Sequence, residues 1–146
     1  MLRNKKGFTL IEMLAVIAII AVLISVIIPT VFASSDKAKA AADAANLRSV
    51  LGQMNSVLAT GETVGETATN LSFVPPCKTY PEAKMYILYD HRGGFIEVYY
   101  VQGSAYYGLD YFAELSTVGS TNIGTDKPST VGEWYEAGVG VAPTEP

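Results

Sequence analysis

The sequence predicts an α+β chain: one long N-terminal helix whose first half spans a membrane and whose second half is amphipathic, packed on a small antiparallel β-sheet. Three observations predict it. Residues 13–28 are apolar throughout except for Ser25, and a helical pattern continues past them to about residue 60. Two β-branched and aromatic runs, residues 83–90 and 95–102, flank His91-Arg92-Gly93-Gly94, which is a hairpin signal. All nine tyrosines fall between Tyr80 and Tyr135, which gives the second half of the chain the ring content of a sheet.

The N-terminus sets orientation. Arg3, Lys5 and Lys6 precede the apolar run, and positive flanks stay on the cytoplasmic side, so residues beyond about Phe32 face outward. With residues back to Phe8 included, the run approaches the roughly 20 residues that a helix needs to cross the hydrocarbon core. Glu12 sits inside it, where an ionised carboxylate costs about 2.5–3.5 kcal/mol at mid-membrane and less near an end, so it calls for a partner. Two plainer readings compete. An ordinary secretory signal would use Val31-Phe32-Ala33 as its small-residue cleavage site, and an uncleaved single-pass anchor would keep the leader. Neither gives Glu12 a purpose.

Further along, Pro29 removes a backbone donor and predicts a kink or local loosening. Ala38, Ala40, Ala41, Ala42, Ala44 and Ala45 form a strong helix-forming tract. Leu47, Val50, Leu51, Met54, Val57 and Leu58 then recur at three-to-four spacing, a stripe expected to pack on the sheet. Gly61 follows as a C′ residue, so a helix from near Phe8 to near Thr60 would be about 80 Å long at about 1.5 Å per residue.

Residues 60–72 read as a polar surface loop, with Asn70-Leu71-Ser72 formally matching a glycosylation acceptor. In the second hairpin run Ile96, Val98 and Tyr100 alternate with Glu97 and Tyr99, which turns the former three toward the helix stripe. Another strand is expected at residues 105–107. Residues 111–115 read equally as strand or short helix, and Trp134-Tyr135 marks a last strand. The Gly/Ser/Thr-rich stretch 117–130 reads as a solvated loop, in which the single acid Asp126 is far short of a calcium cage.

Composition excludes several functions. Removing the three basic residues of the leader leaves seven bases against 14 acids, a balance that repels nucleic-acid phosphate, so no direct nucleic acid binding is expected. Cys77 is the only cysteine, so no intrachain disulfide forms, and a small buried thiol is the expected role. The lone His91 has neither a nucleophile partner nor zinc-ligand spacing. No catalytic residues, metal or cofactor are expected, and the chain is not read as an enzyme.

Gly7-Phe8-Thr9-Leu10-Ile11-Glu12, set between a basic leader and an apolar run, closely resembles the class III signal of type IV pilins and type II secretion pseudopilins. The single cysteine departs from Gram-negative pilins that close a C-terminal loop with a cystine and is more similar to pilins of Gram-positive or anaerobic bacteria. The resemblance implies the pilin fold and a division into a leader (1–7), a transmembrane and filament-core helix (8–33) and an extracytoplasmic head (34–146). It implies processing at Gly7 and Phe8, with cleavage after Gly7 and N-methylation of Phe8, and assembly through Phe8 and Glu12, the carboxylate of one subunit meeting the amine of another. Implied partners are further copies and other pilins in a polymer, a prepilin peptidase, an assembly ATPase with its membrane platform proteins, and the membrane before assembly; the implied end state is a cell-surface type IV pilus. A pseudopilin of secretion or competence DNA uptake, and a membrane-anchored adhesive module that never polymerises, are the alternatives.

Overall fold

The computed structural model describes residues 7–118, 128, 132–139 and 146. The elements are α1 (Leu10–Thr60), α2 (Val64–Thr69), β1 (Lys84–Asp90), β2 (Phe95–Gln102), β3 (Ala105–Tyr107), α3 (Leu109–Val118) and β4 (Glu133–Glu136). The chain falls into two compact units, Met1–Ser35 and Asp36–Pro146.

In the first unit α1 is the one helix, among the described residues, long and apolar enough to cross a membrane by length and composition. Its large apolar side chains are exposed throughout, from Leu10 (82%) to Phe32 (67%). The helix runs on through Pro29. On either side of that proline the Ser25 hydroxyl donates to the Val22 carbonyl and the Thr30 hydroxyl to that of Ile27, both at 2.7 Å. The two polar side chains of this stretch thus find partners on their own helix, as an apolar surrounding requires.

The second unit is built on the other half of α1. Ala40, Asp43, Ala44, Leu47, Val50 and Met54 are buried, at spacings of three and four that define one face. Leu51, Val57 and Leu58 only flank this core, so the stripe is centred closer to the alanine tract than the leucines and valines alone predict. Ala40 and Ala44 are buried in the same core cluster as the sheet residues Met85, Ile87 and Val98. The helix ends where expected: Gly61 has φ +75°, its N–H bonds to the Leu58 carbonyl and that of Glu62 to the Val57 carbonyl. That pair of bonds is a Schellman closure, for which glycine has the backbone freedom.

Residues 60–72 are not simply a surface loop. They hold α2, which buries Val64 and Ala68, one helical turn apart. A Cβ on Gly65 would come within 2.5 Å of the Tyr135 ring, so glycine there lets α2 close on β4.

β1 and β2 form the expected antiparallel hairpin, with Asp90 opposite Phe95 and Met85 opposite Tyr100. Its turn is held by Asp90, whose Oδ1 accepts the Arg92 N–H at 2.7 Å and whose carbonyl accepts the Gly94 N–H at 2.8 Å; Gly94 takes φ +65°. β3 lies beside β2 and β4 returns to the far side of β1, so the strand order is β3-β2-β1-β4. The stretch left open between strand and helix is helix α3, with Tyr111, Phe112 and Leu115 buried at helical spacing. The Lys37 ammonium donates to the Thr117 carbonyl near the end of α3 at 2.9 Å, which offsets an unpaired helix-terminal acceptor.

Both sheet faces are apolar. Met85, Ile87, Ile96, Val98 and Tyr100 pack with the α1 stripe, on the face that alternation in β2 predicts. Leu88, Val101, Tyr106 and Trp134 make a second cluster with Tyr86 and Tyr99; the rings of Tyr99 and Tyr106 stand 5.9 and 5.7 Å from that of Trp134.

Candidate functional site

The singled-out residues Gly7, Phe8 and Glu12 converge on the start of α1. Gly7, Phe8 and Thr9 precede the helix, Leu10 is its first residue and Glu12 lies in its first turn. Thr9 therefore occupies the N-cap and Glu12 the third helical position. The Thr9 N–H and its hydroxyl both donate to Glu12 Oε2 at 2.8 Å, and the Glu12 N–H donates to Thr9 Oγ1 at 3.3 Å. This is a capping box: side chains reciprocally satisfy backbone donors that the first turn leaves without partners. A carboxylate here also sits at the favourable end of the helix dipole.

Sequence reasoning singled out Glu12 and passed over Thr9. The signal was present, because Thr-x-x-Glu ahead of an apolar run is itself a capping-box signature. Glu12 thus has a partner within its own chain. Gly7 meets no constraint of this kind: a Cβ added to it has nothing within 4 Å, so the fold gives no reason for glycine there. Phe8 is 79% exposed. Pro29 lies further along the same helix and is not part of this cluster. The basic leader residues Arg3, Lys5 and Lys6 fall outside the described residues.

The second unit has its own polar centre, which the sequence did not announce. Asp43, fully buried on α1, accepts the Lys78 N–H at 2.7 Å on Oδ1; its Oδ2 accepts the Thr79 N–H at 2.8 Å, the Thr79 hydroxyl at 2.6 Å and the Cys77 thiol at 3.4 Å. The carboxylate latches the segment after Pro75-Pro76 onto the helix. Cys77 is buried, and burial first, then the charge and hydrogen bond of Asp43, push its thiol up to about 12. A thiol so held stays protonated at neutral pH and is a poor nucleophile, which is the small buried role expected of it.

His91 stands at the hairpin turn, with Nε2 3.0 Å from Glu133 Oε2. The Tyr135 hydroxyl donates to the same oxygen, and these two bonds, that of tyrosine first, hold the Glu133 carboxyl below its usual range. It is an exposed cross-strand contact between the turn and β4. Among the described residues no group of three His, Cys, Asp or Glu side chains converges to hold a metal ion. Asp126 lies outside the described residues.

The Prokaryotic N-terminal methylation motif matches residues 2–28. Over 37 residues the chain is 60% identical to the Type IV wide pilus major component PilA4 of Thermus thermophilus, a match that covers 25% of this chain and 28% of that protein. The chain thus matches little more than a quarter of the length of that relative. No solved structure matches.

Proposed function

We propose, from an N-terminal segment that matches the Prokaryotic N-terminal methylation motif and a stretch of a type IV wide pilus component, that this chain is a structural subunit of a type IV pilus, cleaved after Gly7, methylated at the Phe8 amine and polymerised through α1. The carrying observation is the contrast along one helix. Every large apolar side chain from Leu10 to Phe32 is exposed, while from Ala40 onward the helix buries a full face. So much uncovered apolar surface needs lipid or other copies of itself.

In this reading the membrane holds the precursor by residues 8–33 with the head outside, until a prepilin peptidase removes the leader. Cleavage creates a cation at Phe8. In the low-dielectric centre of a fibre an unpaired charge is far more costly than at the membrane surface, and the Glu12 carboxylate of a neighbouring subunit neutralises it while setting axial register. Both Thr9 bonds end on Oε2, so an incoming amine can take Oε1 without dismantling the cap. Pro29 provides the point at which the helix adjusts on leaving the bilayer. An assembly ATPase and platform proteins drive the transfer, other pilins join the polymer, and the acidic head takes no direct part in nucleic acid binding.

The test is mass spectrometry of the surface-associated protein together with two substitutions. The expected chain begins at methylated Phe8; one beginning near Ser34 would establish an ordinary signal peptide, and an intact leader the single-pass anchor. Gly7→Val, which the fold itself tolerates, should leave the precursor uncut in the membrane. Glu12→Leu should be cleaved normally but yield no sheared fibres, and abundant fibres from that variant would sink the charge-pairing mechanism.

A further inference from the structure

The sheet face turned away from α1 carries a second apolar cluster, Leu88, Val101, Tyr106 and Trp134 with Tyr86 and Tyr99, and every described member of it belongs to the sheet itself. The rings of Tyr86, Tyr99 and Tyr106 each stand within 6.5 Å of that of Trp134, so the face is an aromatic patch centred on the tryptophan. Rings on a bare sheet face meet water. Here Tyr106 is only 4% exposed and Trp134 only 7%, which calls for a cover that the strands do not supply. One contact shows what reaches the patch: the Tyr106 hydroxyl donates to the Pro146 carbonyl at 3.4 Å, long for such a bond. Pro146 is itself part-buried.

We propose that this face is the seat of residues 140–146 of the same chain, bound as a polyproline II segment. Reach is the first argument. The Ala137 N–H bonds to the Met85 carbonyl and the Val139 N–H to that of Glu136, which holds the chain at the β4 edge, whereas Tyr106 lies on β3 at the other edge of the four-stranded sheet. Three strand spacings of about 4.8 Å separate those edges, and seven residues of polyproline II cover about 22 Å. The segment from Val139 to Pro146 therefore crosses the sheet with length to spare, and it arrives on the aromatic face because Tyr106 belongs to that face. Composition is the second argument. Pro143 and Pro146 lack an N–H and bring no unpaired donor onto the rings, and Pro-x-x-Pro segments dock in aromatic-lined grooves. Three residues of polyproline II rise about 9 Å, close to two strand spacings, so Pro143 falls over β1 beside Tyr86 and Trp134 when Pro146 is at Tyr106. Carbonyls in that conformation have no internal partner, and the tyrosine hydroxyl supplies a donor to one of them. The head thus completes its second apolar face from its own sequence and leaves none of it for a neighbouring copy.

The experiment uses the full chain in detergent and the fluorescence of Trp134, its one tryptophan. Deletion of residues 140–146 should raise the acrylamide quenching constant of Trp134 about threefold and shift its emission to the red. A synthetic peptide of residues 140–146 at millimolar concentration should restore both, and the same peptide carrying Pro143→Ala and Pro146→Ala should not. Quenching unchanged by the deletion, a peptide without effect, or equal rescue by the alanine peptide would each overturn the inference. Where the deletion abolishes the cooperative urea transition of the head, the intact sequence decides: p-benzoylphenylalanine in place of Ala142 should photolabel the peptide holding Tyr86 or Trp134 of the same chain, with mixed isotope-labelled and unlabelled chains telling one copy from two. Adducts on a second copy, on detergent or on another surface of the head would overturn the inference as well.

Discussion

Of the three carboxylates on α1, Glu12 and Asp43 are treated alike by a hydropathy plot, and their surroundings differ in every respect. Glu12 stands in the exposed first turn, held by one threonine of its own helix. Asp43 is fully buried and accepts from a segment some 35 residues away, with the Lys78 and Thr79 backbone N–H groups among its donors. The lesson concerns what a charge is for. Asp43 is spent on folding, its lone pairs committed to fixed donors within the head. Glu12 is satisfied only locally, by a device that sets a helix terminus and stabilises nothing distant. On the function proposed above, the unit that changes surroundings keeps its acid adaptable, and the unit that stays folded does not.

Breaking Asp43 should have the largest effect. Asp43→Ala leaves the part-buried Lys78 and Thr79 N–H groups and the Thr79 hydroxyl without their acceptor, and about 1 kcal/mol per orphaned donor brings the loss to about 3 kcal/mol. Asp43→Asn should be nearly as damaging, because both carboxylate oxygens accept from donors and an amide turns a donor toward one of them. Trp134 is the only tryptophan and lies in the head, so its fluorescence during urea unfolding of the full chain in detergent reads that unit alone. A midpoint unchanged in Asp43→Ala would show the latch to be unimportant. Cys77 offers a second readout: its thiol should resist alkylation at pH 8 in the parent and react in the variant.

Next in size comes the helix face. Leu47 is buried and Leu51 only flanks the core, so Leu47→Ala should cost about 3 kcal/mol, within the usual range for a leucine-sized cavity, and Leu51→Ala about 1 kcal/mol. Ile19→Ala, in the exposed half, should leave the same Trp134 urea-unfolding curve untouched. Equal losses at 47 and 51 would show that residue 51 lies as deep in the core as residue 47, against the burial in the structure.

How much of this was legible depended on the range of the interaction that decides each element. The hairpin was readable because two β runs and a glycine-containing turn lie within 20 residues, and Gly61 because a helix end is a local event. The N-terminal cluster was readable in its members but not in its wiring: Glu12 stood out by its charge and Gly7 and Phe8 by the motif they belong to, while Thr9 was given no role. Helix α2 was missed because Gly65, Thr67 and Thr69 make half of its six residues poor helix formers; its packing on β4 through Gly65 and Tyr135 outweighs propensity. Asp43 was missed for a deeper reason. An acid amid alanines reads as a solvated position, and only the fold brings Lys78 and Thr79 to it. The crossing of β4 to the far side of β1 is likewise a long-range outcome that no short window contains.

The smallest expected effect lies at Thr9, and it isolates the cap from the charge. Thr9→Val keeps shape and β-branching and removes the hydroxyl, so Glu12 loses one of its two donors and the Glu12 N–H loses its acceptor. An N-cap of this kind contributes about 1 kcal/mol. The loss should appear as faster amide exchange confined to the first turn of α1, with the Trp134 unfolding curve superimposed on that of the parent, because nothing in the head is touched. Thr9→Ser, which retains the hydroxyl, should restore the slow exchange. If exchange in the Val variant matched the parent, the capping bonds would be incidental to the helix start; if the head lost stability as well, the separation between a locally held Glu12 and a globally committed Asp43 would fail, since the two halves of α1 would then be sharing their stability along the helix.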